Sequence, residues 1–242
     1  MRFVGPGYDF TLGGAKAHDN QTPFGVTYFK FNSLTVPQFN ARVGYYLKNH
    51  WAISFGYDHM KYIFKDGNEV TLSGSINQGV DETGNWSGTY SGESIVTDRD
   101  DFHYENSDGL NFLRAEITRT DMLLAFGLEQ QFVISSNLGA SLGGLLSYND
   151  YNFGGTATQR TVSLSGYGLA VHVGLRFEFF KHVFLQTQLS GGMNHQVKVR
   201  TRATDPTSFA RHMYGYSEWS TVLGFLLYIR PTNSCDSCPV WD

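Results

Sequence analysis

Between residues 168 and 196 apolar and non-apolar positions alternate one by one through two stretches joined at Lys181-His182. Leu169, Val171, Val173, Leu175, Phe177 and Phe179 fall in one set, and Gly168, Ala170, His172, Gly174, Arg176 and Glu178 in the other. A period of two is the mark of a β-strand, whose side chains point alternately to the two faces of a sheet. After the turn, Val183, Leu185, Thr187 and Leu189 alternate with Gln186, Gln188, Ser190, Asn194 and Gln196, which predicts a second strand of a hairpin. The non-apolar face mixes glycine with charge, unlike the solvent face of a soluble sandwich. Each apolar run covers about the ten residues a tilted strand needs to cross a bilayer, and the opposite face suits a narrow, crowded, polar lumen. The expected fold is all-β, an eight-stranded antiparallel transmembrane β-barrel with long extracellular loops.

The same alternation recurs along the chain. Tyr8, Phe10 and Leu12 predict a first strand that fades into the loop AKAHDNQTPFG. Residues 36–47 and 51–58 predict a hairpin turning at Lys48-Asn49-His50. In residues 109–134 the phase changes near Arg119-Thr120-Asp121, where a bulge is expected. Ser135-Ser136-Asn137 is read as a turn into residues 138–148, whose inward Gly139, Ser141 and Gly143 leave room for larger side chains opposite. The last strand exposes Trp219, Thr221, Leu223, Phe225, Leu227 and Ile229. Eight strands within residues 1–230 then have three short turns, at Lys48, Ser135 and Lys181. Four longer connections fall near residues 18–35, 66–108, 149–160 and 199–212, and residues 231–242 form a tail. Short turns on one side and long loops on the other place both termini on the short-turn side.

Composition supports this reading and narrows the partners. Glycine at 27, tyrosine at 14 and phenylalanine at 19, with six prolines, favour long strands and interfacial aromatics. The longest apolar runs, at 122–128 and 223–229, fall well short of the ~20 residues of a spanning helix. The opening MRFVGPGYDFTLGG lacks the basic segment, apolar core and cleavage site of a secretory leader, so a mature or trimmed chain is expected. A net charge of −4 and a pI near 6.0 exclude nucleic acid as a main partner, because phosphate binding needs a basic surface. Charge is unevenly spread: residues 66–108 carry ten acids against Arg99, about −9, leaving about +5 for the remainder. Alternating pieces at 69–76 and 85–97 make part of this loop a β-hairpin.

The architecture over residues 8–230 resembles the small eight-stranded outer-membrane barrels of the OmpA and OmpX type. The stretches VPQFNARVGYYL, WAISFGYDHMKYIF and SDGLNFLRAEI are similar to those of uncharacterised outer-membrane β-barrel proteins of Bacteroidota. The resemblance implies a bacterial outer membrane and periplasmic termini, and it brings no catalytic residue. Unlike many such barrels, the chain does not finish on the aromatic residue of its last strand but continues as PTNSCDSCPVWD.

Several groups are candidates for a site. Asp9, Arg42, Asp58, Glu129, Arg176, Glu178 and Glu218 are expected to face the lumen, either paired as a plug or lining a proton or ion path. His172 and Ser190, with Glu178 or Glu218, can be drawn as an acyl-transfer triad, although no nucleophile motif anchors it. Asp98, Asp100 and Asp101, with Glu105 and Asp108, offer hard oxygen ligands but not the spacing of an EF-hand, and a solvated acidic loop is the simpler reading. Asn85-Trp86-Ser87 fits a glycosylation sequon by chance. Together with Trp86, Tyr90, Phe102 and Tyr104, those aspartates suggest a docking surface, aromatics supplying contact and acids steering a basic partner. Cys235 and Cys238 form a lone C-x-x-C that suits a local disulfide. The expectation is a non-enzymatic envelope barrel without metal or cofactor, set among outer-membrane lipid and lipopolysaccharide, and docking an envelope protein. A lipid-modifying enzyme and a small-solute channel are the rivals.

Overall fold

The structure is a computed structural model and describes residues 1–23, 25–26, 38–47, 50–106 and 109–228. The described residues contain fourteen strands and no α-helix: β1 (Arg2–Gly5), β2 (Tyr8–Gly13), β3 (Ala17–Asp19), β4 (Phe39–Tyr46), β5 (Trp51–Met60), β6 (Tyr62–Phe64), β7 (Glu69–Ile76), β8 (Gly88–Val96), β9 (Phe102–Glu105), β10 (Leu110–Phe126), β11 (Phe132–Phe153), β12 (Thr156–Phe179), β13 (Val183–Arg200) and β14 (Phe209–Phe225). All belong to one antiparallel sheet, which has two parts, a wall and a cap.

The wall is the run β4-β5-β10-β11-β12-β13-β14. Its register lines up the alternation of successive strands, so one face is largely apolar, with Thr187, Ser217 and Thr221 as polar breaks. Leu138 on β11 pairs with Val173 on β12, Val173 with Leu189 on β13, and Leu189 with Trp219 on β14. All four point outward and are 56–80% exposed. One residue along, the row Gly139, His172, Ser190 and Glu218 points inward. The wall curls strongly enough to bring its edges together: Asn40 on β4 donates to Glu218 on β14 at 2.8 Å. Among the described residues no backbone ladder joins β4 to β14, so the wall is a curled half-barrel with an open seam.

The cap closes one end of that trough. β11, β13 and β14 run on past the wall, and β1, β2, β6, β7 and β9 pack with them around a core of Phe3, Phe10, Phe64, Phe102, Tyr104 and Phe153. Phe3 stacks on Tyr151 with rings 5.5 Å apart, and Trp86 stacks on Phe102 at 5.7 Å. Such pairs add to the area term that makes aromatic burial the main source of stability in a small core.

Several expectations are corrected. Tyr8, Phe10 and Leu12 do alternate, as β2, but they are buried in the cap and β2 is not a wall strand. The turn expected at Ser135-Ser136-Asn137 lies earlier: Gly127, Glu129 and Gln130 take positive φ angles of 84°, 61° and 56°, and Ser135 and Asn137 are fully buried residues of β11. The register break falls between Met122 and Leu124. Residues 149–160 are largely strand, turning only at Gly154-Gly155. Arg2–Val4 pairs with Phe209–Arg211 beside the cap, so the amino-terminal segment lies at the long-loop end, opposite the Lys181 turn. The hairpin expected inside residues 66–108 is present as β7 and β8. Residues 231–242, with Cys235 and Cys238, lie outside the described residues, as do Lys48, Asn49 and Asp108.

Candidate functional site

Gly56 on β5 lies between Arg42 on β4 and Arg114 on β10, its register partners, and a side chain there would press on both arginines. Two guanidiniums side by side in a buried space repel unless anions bridge them. Asp58 and Glu116 do so. Asp58 lies 3.2 Å from Arg42 and 3.1 Å from Arg114, and Glu116 lies 3.7 Å from Arg42 and 3.4 Å from Arg114. The result is a closed ring of two cations and two anions in which each charge touches both opposite charges.

The ring extends across the interior. His172 Nδ1 lies 3.5 Å from Glu116, and its Nε2 lies 2.7 Å from Asn137 Oδ1. Gly139 is needed here, because its missing side chain leaves the space the His172 imidazole fills. Gln186 donates to Asn137 Oδ1 at 3.3 Å and to Gln188 Oε1 at 2.7 Å, and Gln188 donates to Ser190 Oγ at 3.4 Å. Arg176 donates to Gln186 Oε1 at 2.9 and 3.0 Å, reaches Tyr46 on β4, and covers the Phe184 ring at 4.3 Å. Above the ring, Leu110, Phe112 and Leu145 form a small apolar layer. Tyr62 then donates to Gln196 at 2.7 Å and meets His212 Nε2 at 2.8 Å under the cap. Burial pushes the Tyr62 and Tyr104 phenols well up from their ordinary range.

Of the seven expected lumen charges, Arg42 and Asp58 lie in the ring, while Arg176 and Glu178 lie inside nearer the short turns. Glu218 lies at the seam. Two are not interior: Asp9 is on the exposed side of β2, paired with Arg2 at 2.6 Å, and the Glu129 side chain is 85% exposed in the 127–130 turn. The Arg2 hydrogen bond holds the Asp9 carboxyl below its usual range. Arg114 and Glu116 were missed, although Phe112, Arg114, Glu116, Thr118 and Thr120 alternate with Leu113, Ala115 and Ile117.

The docking expectation is corrected in its aromatics. Trp86, Phe102 and Tyr104 are core residues of the cap, at 5%, 0% and 0% exposure, and Tyr90 packs against that core. A polar, glycine-rich segment thus owes its order to aromatic burial. Asp98 and Asp100 remain exposed and Asp101 half so; Asp98 Oδ1 accepts from the Asp100 amide at 2.9 Å, and Asp101 accepts from Asn85 at 3.3 Å. Among the described residues no cluster of three His, Cys, Asp or Glu is arranged to hold a metal. His172 and Ser190 are register partners, yet the two ring nitrogens of His172 face Glu116 and Asn137, and Ser190 receives Gln188.

Comparison of the chain with protein-family models, curated proteins and solved structures found no match.

Proposed function

We propose that the chain is a non-enzymatic β-barrel of a bacterial outer membrane, with the wall as its spanning part and the cap as its external end. In this reading it serves as a closed structural or docking subunit. The observation that carries the reading is the opposition of the two wall faces. Outward positions are mostly aliphatic or aromatic across β10 to β14, while inward positions hold the Arg42, Asp58, Arg114 and Glu116 ring. In water that arrangement is inverted, because charge would be desolvated while apolar surface stayed wet; beside hydrocarbon it is the favourable one. A ring of backbone hydrogen bonds is also what a membrane demands, so the proposal includes closure of the β4 to β14 seam in the bilayer.

A channel needs a continuous wet path, and here paired charges, an apolar layer and an aromatic core lie in series along the interior. Acyl transfer needs a base directed at the nucleophile, and His172 is directed elsewhere. A docking partner would meet the exposed acids of residues 98–101 and the edge strand β8, since the aromatics are committed to the cap. Reconstitution in planar bilayers tests the reading: the purified protein is expected to insert without steady conductance. Stable single-channel currents would overturn the closed interior, and nitroxide labels at positions 171, 173 and 175 reporting water in place of lipid would overturn the membrane assignment.

A further inference from the structure

On the outer face, the apolar positions of β12, β13 and β14 end in a basic row on the cap side. Val162 and Leu164 on β12, Val197 on β13 and Met213 on β14 are 50%, 76%, 40% and 62% exposed. Beyond them, Lys198 and Arg211 are exposed and adjacent. The β13–β14 ladder pairs Gln196 with His212 and Val199 with Ala210, so Val197 and Lys198 bulge opposite Arg211. Like charges facing one another across strands are destabilising. Here no carboxylate among the described residues relieves them. Arg2, opposite Arg211 on β1, has its own partner in Asp9, and Asp205 in the β13–β14 connection is engaged by Thr207 and Ser208 at 2.7 and 2.6 Å. Lys198 lies over the Phe209 ring at 5.6 Å, which orients it without neutralising it.

A second observation lies beside this pair. A shallow groove of about 250 Å³ is lined by Val162, Leu164 and Pro206 on its apolar side and by Lys198, Arg200 and Ser163 on its polar side. Its apolar part continues the wall face, and its cationic part stands where that face ends.

We propose that Lys198 and Arg211 bind the phosphate of an anionic membrane lipid whose acyl chains lie along Val162, Leu164, Val197 and Met213. The inference rests on the membrane reading and adds to it a place and a headgroup chemistry. Two adjacent cations without an anion among the described residues call for one from outside, and the apolar strip directly below selects an anion carried on a hydrocarbon chain. Cations at the edge of a spanning surface attract anionic headgroups in this way. Lipid docked here would also relieve the Lys198–Arg211 repulsion, so binding and stability of the β13–β14 pairing are linked.

The test uses the full chain in phosphatidylcholine nanodiscs containing a fifth of phosphatidylglycerol, with retained lipid counted by native mass spectrometry. Wild type is expected to enrich phosphatidylglycerol about thirtyfold over the bilayer ratio, roughly what two interfacial cations at about 1 kcal/mol each provide. K198Q/R211Q should fall to within about twofold of the bilayer ratio, and the charge-matched control K65Q/K181Q should keep the wild-type value. Equal enrichment in K198Q/R211Q and wild type overturns the site. So does displacement of the lipid by soluble glycerol phosphate or by an acidic peptide at similar concentration, which would mean that the chains contribute nothing. Labels at 171, 173 and 175 in the same nanodiscs separate the two failures: lipid-exposed labels without enrichment overturn the site alone, whereas water-exposed labels overturn the membrane reading with it.

Discussion

β2 and the lower half of β12 carry the same pattern and live in opposite surroundings. Tyr8, Phe10 and Leu12 alternate with Asp9, Thr11 and Gly13, and their apolar side is buried among Phe3, Trp86 and Phe153. Leu169, Val171 and Val173 alternate with Ala170, His172 and Gly174, and their apolar side is 48–61% exposed while the small and polar side is inside. Alternation therefore reports that a residue faces one of two environments and leaves open which one is apolar. What separates the strands is the partner of the polar side: beside β2 it is Arg2 at the surface, and beside β12 it is a closed network of Glu116, Asn137 and Gln186.

The largest effect that sharpens this contrast comes from truncating an apolar side chain in each place. Phe102→Ala opens a void among Phe3, Phe64 and Trp86, and is expected to cost about 3–5 kcal/mol, as large truncations in aromatic cores do. Val171→Ala on the outer wall removes no packed neighbour from an interior and should cost well under half as much. Urea unfolding in detergent micelles, followed by near-ultraviolet circular dichroism, measures both; equal costs would mean that the outer wall is itself a buried core.

The next effect runs in the other direction, adding charge in place of removing bulk. Val173→Arg places a guanidinium on the outward row Leu138, Val173, Leu189 and Trp219. If that row faces hydrocarbon as proposed, the change should cost about 2–4 kcal/mol near the midplane. Thr89→Arg on the exposed face of β8 should be close to neutral. Unfolding in lipid vesicles reads the difference, and a neutral Val173→Arg would remove hydrocarbon from that face.

How much was legible follows the same division. The wall strands at 39–46, 51–60, 168–179 and 183–196 stand out because their register repeats one alternation over long distances, and Arg42, Asp58, Arg176, Glu178 and His172 emerge as inward from it. The turn at 127–130 was hidden because Glu129 and Gln130 adopt the left-handed conformation that usually marks glycine or asparagine, while Ser135 and Asn137, usual turn residues, are held inside by burial. That shift also turned Glu129 from an interior candidate into a surface residue. The cap was illegible for a different reason. Its core is assembled from residues as distant as Phe3, Trp86, Phe153 and Ala210, so no local window holds enough of it to show a buried face. Composition made residues 66–108 look like a solvated loop, whereas nearly every large aromatic in it is committed to that core.

The smallest effect concerns two aspartates that the sequence placed together. Asp58 is buried between Arg42 and Arg114, where removal of either partner would strand a charge, whereas Asp9 is half-exposed and meets only Arg2. The Arg2 hydrogen bond holds the Asp9 carboxyl low, so its folded-state value lies below the unfolded one. A carboxyl shifted in that direction contributes stability that is fully present above its unfolded value, about 3.9, and is lost as pH falls through the folded value. Because the pair is open to solvent, screening leaves little of that contribution at ordinary ionic strength. Asp9→Asn is therefore expected to leave the unfolding midpoint at pH 7 within error of wild type. Between pH 4 and pH 2 it should flatten the fall in stability only slightly, and added salt should erase even that difference. A large destabilisation of Asp9→Asn at pH 7 that persists in high salt would place Asp9 in a buried network after all, and would return β2 to the wall.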